Sequence, residues 1–415
     1  MIKGGKDGTY RRTQLDNGLR IVTESMPHVR SIAIGFWFNT GSRDEPDNLA
    51  GISHFIEHMN FKGTERRNPA EIARQIEERG GHLNAFTSKE FTCYYARIVD
   101  QQLRRAVDVL SDITINSIFD QKEIDRERGV ILEELKNLED TPDELVFEHF
   151  MAQLYNPHAM GRSVLGQRET LNKIDRQSLL KYRQSQYNAS RTVIAAAGNI
   201  DHDKLAATIE RFFNVESGDK NNRIPPDSRK PLKPRLDYHA NTQQAHICWG
   251  CKALRYADPR KYALLVLHTL LGSGMSSRLF QRIRERHGLA YSVFSFLETY
   301  YDTGLFGIYA GTEPKQAEKT LKMIRNEVGK LAQKAISKSL LQRTKDQLKG
   351  NLILGLESVS ARMHRLAKME LYRTDWISMD DIIKKIDAVT EEDVREVAIE
   401  LFKEDRSVTT MLLPK

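Results

Sequence analysis

In the stretch GISHFIEHM, two histidines stand four residues apart with a glutamate directly before the second: His54, Glu57 and His58. On a helix of 3.6 residues per turn, His58 lies about 40° round from His54, and Glu57 about 60° to the other side. The three side chains then share one sector of roughly 100°, with the histidines one turn apart. Two imidazoles so placed can hold one Zn²⁺, and the glutamate beside them could act on a water at the metal. The pattern is short, and an amphipathic helix with surface or satisfied histidines can also carry it.

A catalytic zinc takes three protein ligands and keeps one position open, so a third donor is required. A carboxylate on a second helix is the natural source. The segment RERGVILEELKNLEDTP offers Glu127, Glu133 and Glu134. Glu127 and Glu134 are two turns apart and share a face, whereas Glu133 points about 100° away from Glu134, to a solvated or paired surface. Helical spacing alone leaves Glu127 and Glu134 both open as the ligand.

With both segments in view, the sequence resembles the pitrilysin/insulinase zinc metallopeptidases, the inverzincins. HFIEHMNFKGT is similar to their inverted zinc-binding motif, and GVILEEL, with Glu134 76 residues after His58, is similar to their third-ligand segment. The resemblance runs from LDNGLRIV to the last strand and is closest to bacterial processing proteases similar to the mitochondrial processing peptidase beta subunit. It implies that His54, His58 and Glu134 are ligands of one Zn²⁺ per chain, that Glu57 is the general base, and that Glu127 supports the site from behind. Asn60 departs from the family pattern, which has a small or apolar residue there, but it is not a ligand position.

Two further segments gain meaning from the resemblance. LNAFT, residues 83–87, follows Gly80 and Gly81 and alternates as an edge strand does. The resemblance implies that a peptide substrate joins this strand by β-augmentation, with Asn84, Ala85 and Phe86 beside the scissile region. In GSGMSSRLFQRIRERHGLAYSV, Arg284 and Tyr291 stand seven apart. By resemblance, Arg284 binds a peptide carbonyl and Tyr291 steadies the tetrahedral oxyanion. The site would then be shared between domains that close on the peptide about a hinge, which favours short or unfolded substrates.

The elements that must position these groups form two similar halves. NVESGDKNNRIPPDSRKPLKPRLDYH, residues 214–239, carries four prolines and no helical or strand periodicity, and reads as an extended linker. We expect a zinc-binding catalytic domain over 1–220, a linker over 221–236 and a second domain without metal over 237–415. Each half opens on an apolar strand, VRSIAIGFWFNTGS or QQAHICWGCKAL. A helix follows, NLAGISHFIEHM or PRKYALLVLHTLLG, and then a glycine-led, aromatic-rich strand. The expected fold class is α+β: two homologous domains, each a mostly antiparallel sheet backed by helices, around a peptide chamber.

Bulk properties exclude other classes. The 415 residues carry 63 Lys and Arg against 56 Asp and Glu, interspersed, for a net charge of +7. No basic block or recognition motif points to nucleic acid. No apolar run reaches the ~18 residues of a membrane helix, and the N-terminal residues lack a secretory h-region. The three cysteines give no disulfide framework. A cytoplasmic protein is the expectation. Cys248 and Cys251 spell C-x-x-C within a strand-like run, where residues three apart face opposite ways, so no redox or zinc pair is expected. GSGMSSR lacks the lysine and spacing of a phosphate loop. His82, His149, His158 and His268 have no partner at ligand spacing.

The sequence reading is a zinc endopeptidase acting on short or unfolded peptides or on precursor presequences. The peptide partner binds as an added β-strand, and a homodimer is left open. The alternative is a non-catalytic peptide-binding or structural subunit of the same fold.

Overall fold

The computed structural model describes residues 3–4, 9–227 and 232–415. Residues 228–231 of the expected linker lie outside the described residues. The chain divides into two compact units, the first Met1–Leu135, Arg162–Arg223 and Gly355–Trp376, the second Lys136–Gly161, Ile224–Leu354 and Ile377–Lys415. No described helix is long and apolar enough to cross a membrane.

The first unit is built on seven strands: β1 (Lys3–Gly4), β2 (Tyr10–Gln14), β3 (Arg20–Ser25), β4 (Ser31–Phe38), β5 (His82–Thr87), β6 (Thr92–Val99) and β7 (Thr192–Gly198). They lie in the order β1-β2-β3-β7-β4-β6-β5. Neighbours are antiparallel except β3 and β7. Strand β4 is apolar on both faces, and both are covered. Ile32, Ile34, Phe36 and Phe38 enter a core with Phe55, Ile56, Val107, Leu110 and Ile131 from the helices on that side. On the opposite face Trp37 meets His364 of helix Val359–Leu371, with ring centroids 5.2 Å apart. A strand buried on both sides reads as a continuous apolar run, which is what SIAIGFWF is.

The second unit repeats this plan with β8 (Arg235–Ala240), β9 (Ala245–Lys252), β10 (Ala290–Thr299), β11 (Gly304–Thr312) and β12 (Ser407–Pro414). Their order is β10-β11-β9-β12-β8, antiparallel except β12 and β8. Taken in sequence, β8 to β12 reproduce the neighbours and directions of β3 to β7, strand for strand. The duplication expected from sequence is thus a repeat of topology. The glycine-led aromatic segment of each half is a hairpin, β5–β6 and β10–β11, rather than one strand.

Chain order and compact units part at two places. Helix Pro142–Tyr155, from the first half of the sequence, belongs to the second unit, where Phe150 and Leu154 pack with Cys248, Leu305 and Leu412. Helix Val359–Leu371, from the second half, belongs to the first unit. Each sheet needs a second apolar cover, and each takes it from the other half of the chain. The break between long segments, at Arg223 and Ile224, falls within the expected linker. Cys248 and Cys251 join different cores, on opposite faces of β9, and all three cysteines are buried and free.

Candidate metal centre

The histidine helix spans Ile52–Met59. Ile52, Phe55, Ile56 and Met59, at the i, i+3, i+4, i+7 spacing of a buried stripe, are fully buried. That anchorage leaves His54, Glu57 and His58 together on the half-buried face. The helix start is fixed by Gly51, whose φ of 96° is left-handed. A Cβ there would also come within 2.8 Å of the Leu165 carbonyl oxygen, so only glycine fits. Glu45, outside the helix, caps it: Oε2 accepts from the Gly51 N–H at 2.7 Å and Oε1 from the Ser53 N–H at 2.8 Å. Each buried N–H left without a partner would cost about 1–3 kcal/mol.

The glutamate helix spans Gln121–Glu139. Ile124, Glu127, Ile131 and Leu135 form its buried stripe, Glu134 is half-buried and Glu133 is exposed. Glu134 Oε2 lies 3.7 Å from His54 Nε2 and 3.7 Å from His58 Nε2. One donor atom from each of these three residues falls within 4.8 Å of the others, and among the described residues no other such group of His, Cys, Asp or Glu occurs. The imidazole rings of the two histidines are 4.6 Å apart, centroid to centroid.

Whether these residues fit a metal can be judged from their protons. Glu127 Oε2 is 3.1 Å from His58 Nδ1, and its Oε1 accepts from Lys62 Nζ at 2.8 Å. With a carboxylate as acceptor, His58 Nδ1 is the donor, and in the neutral ring the lone pair then falls on Nε2. Burial, reinforced by the His58 ring, pushes the His54 pKa down to about 3, which favours the neutral ring. The two Nε2 atoms therefore converge on one carboxylate oxygen. A cation satisfies all three. The two 3.7 Å carboxylate–imidazole separations are close to the roughly 3.4 Å edge of a tetrahedron with zinc–ligand bonds of ~2.0–2.1 Å. The donor set fits Zn²⁺.

Glu57 is set to one side of these donors. The Thr87 hydroxyl of β5 donates to Glu57 Oε2 at 2.6 Å. Burial lifts the Glu57 carboxyl above its ordinary pKa; the Thr87 hydroxyl and His58 oppose the rise, and Glu134 adds to it. A carboxylate held partly out of water takes up a proton more readily than an exposed one, which suits it to proton transfer.

Strand β5, which carries Asn84, Ala85 and Phe86, is the last strand of its sheet and pairs only with β6. Asn84 Oδ1 accepts from the Ala85 N–H at 2.8 Å. Phe86 packs edge-on against Trp37 at 5.5 Å, on the sheet face turned toward helix Val359–Leu371. Arg284 and Tyr291 lie in the second unit and pair with each other, the guanidinium 5.0 Å above the Tyr291 ring, which is 78% exposed. Of the discounted histidines, His149 stacks on Tyr238, His158 Nε2 meets the Ile224 carbonyl and His268 Nδ1 meets Ser295 Oγ.

The Insulinase (Peptidase family M16) model matches residues 20–168, which contain His54, Glu57, His58, Glu127 and Glu134, and the Peptidase M16 inactive domain model matches 173–348. An uncharacterized zinc protease of Streptomyces coelicolor is 41% identical, over 96% of this chain and 88% of its own length. The chain belongs to the M16 peptidase family. The uncharacterized zinc protease YmxG of Bacillus subtilis is also 41% identical, over 95% of this chain and 96% of its own length. The same fold is seen in the crystal structure of a protease from Helicobacter pylori, with a TM-score of 0.91 at 24% identity, covering 98% of this chain and 99% of that one.

Glu45, Thr87 and Lys62 escape the sequence reading. Their contacts come from loops and a strand that tertiary structure brings to the two helices, so no periodicity marks them. Among the supporting groups, Glu127 carries a quantitative expectation. Glu127→Gln removes the anion from His58 Nδ1 and should weaken zinc about 10–100-fold while the fold persists. Competition with a chromophoric chelator measures it; an unchanged zinc Kd would remove Glu127 from any supporting role.

Proposed function

We propose that this chain is a zinc-dependent endopeptidase for short or unfolded peptides, precursor presequences among them. The convergence of His54 Nε2, His58 Nε2 and Glu134 Oε2, with Glu57 beside them, carries the proposal. In it those three residues hold one Zn²⁺ per chain, which when bound supplies Lewis acidity and lowers the pKa of the attacking water. Glu57 takes that water's proton and passes it to the leaving amine nitrogen. Thr87 holds the Glu57 carboxylate in place through its 2.6 Å bond. The open edge of β5 receives the peptide main chain beside Asn84, Ala85 and Phe86, which explains tolerance of varied sequences, since backbone pairing is blind to side chains. In the same proposal Arg284 binds a substrate carbonyl and Tyr291 steadies the oxyanion, as the resemblance implies. A cytoplasmic location is part of this reading, and the three free, buried cysteines support it.

The experiment is cleavage of a library of unfolded peptides by the full chain, before and after a strong chelator. Cleavage should cease on zinc removal and return with one equivalent of Zn²⁺. Chelator-resistant cleavage would discard the metal. Peptide binding by zinc-loaded protein without any cleavage would establish the non-catalytic alternative instead.

A further inference from the structure

A second site lies within the first unit, built by other residues. β2, β3 and the residues after helix Val359–Leu371 line a cavity of about 490 Å³, within the range of small-molecule sites. Its walls hold four cations, Arg12, Arg20, Lys220 and Arg373, against two carboxylates, Glu370 and Asp375. Glu370 is already committed. Arg12 grips it with two bonds of 2.9 Å, and Arg20 Nη1 donates to its main-chain oxygen at 2.9 Å and stands 3.4 Å from Oε1. Among the described residues, neither Lys220 nor Arg373 has an ion-pair partner.

The inner end of the cavity is short of an anion. The Arg20 side chain is only 8% exposed, and burial, with Arg373 and Arg12 as like-charged neighbours, pulls its pKa below the usual guanidinium value against the opposing pull of Glu370. Only Nη1 of Arg20 makes a hydrogen bond to a described residue. Trp376 stacks on Tyr10 with ring centroids 5.2 Å apart, and its Nε1–H is out of solvent with no partner. The wall thus offers two surplus positive charges, spare N–H donors and an aromatic pair.

We infer that this cavity binds a phosphate-bearing small anion. A phosphate carries about −1.5 to −2 at neutral pH and presents three acceptor oxygens, which matches a surplus of two and donors on several sides. A carboxylate would leave one of the cations unmatched. Inorganic phosphate and a nucleotide monophosphate share the required chemistry, and the Tyr10–Trp376 pair is where a base could add contact.

Isothermal titration of the full, zinc-loaded chain with inorganic phosphate, AMP and acetate tests the site. Phosphate and AMP should both bind, acetate far more weakly, and affinity should fall with salt. Arg373→Ala and Lys220→Ala, both exposed positions, should each weaken phosphate roughly tenfold without changing the melting temperature. AMP binding tightly relative to phosphate would identify a nucleotide as the ligand, and equal affinities the bare phosphate group. No heat at millimolar phosphate, or acetate binding as well as phosphate, would overturn the inference. So would binding untouched by both substitutions, which is how phosphate held at the metal centre would behave.

Discussion

Glu57→Gln should retain one zinc per chain and lose about 10²–10⁴-fold in kcat/KM on an unfolded peptide. The substitution keeps the size of the side chain and leaves an amide oxygen able to accept the Thr87 hydroxyl bond, so the helix and its ligands are undisturbed. The amide cannot take up a proton. Because Glu57 is not among the three residues whose donor atoms converge, His54, His58 and Glu134, zinc content measured by elemental analysis should match the parent. Loss of both zinc and turnover would make Glu57 a structural part of the metal site, and a variant retaining most of its activity would remove it from proton transfer.

The ease of reading the histidine helix and the difficulty of reading its supports have the same physical origin. A helix repeats every 3.6 residues, so His54, Glu57 and His58 on one face and Ile52, Phe55, Ile56 and Met59 on another are both visible as spacing. The same holds for Glu127 and Glu134, two turns apart, although spacing cannot say which one faces the histidine pair. In the structure Glu134 meets both Nε2 atoms while Glu127 reaches the far nitrogen of His58. Strand alternation likewise separates Cys248 from Cys251 onto different cores. Glu45, Thr87 and Lys62 act through contacts made by folding, and nothing repeats to announce them. The exchange of helices Pro142–Tyr155 and Val359–Leu371 between units is hidden for a related reason. A run such as SIAIGFWF shows that both faces of β4 are covered, but not which helix covers the second.

Glu134→Gln should lower zinc affinity further than Glu127→Gln does, beyond the roughly 100-fold that loss of an outer-shell partner reaches. Glu134 supplies the negative charge among the three donors, and its Oε2 is equidistant from the two imidazole nitrogens at 3.7 Å. A neutral amide oxygen in its place leaves a dication facing two neutral rings in a half-buried pocket, where an unmatched charge is costly. Glu133→Gln, one residue earlier and about 100° round the helix, is the matched control. Its side chain is exposed, and its zinc affinity should equal the parent's. Three chelator-competition titrations therefore give a ranking, with Glu134→Gln weakest, Glu127→Gln intermediate and Glu133→Gln unchanged. Should Glu134→Gln hold zinc as tightly as the parent, the third ligand is a different residue. A drop in Glu133→Gln to match would mean the glutamate helix presents another face to the histidines than the one described.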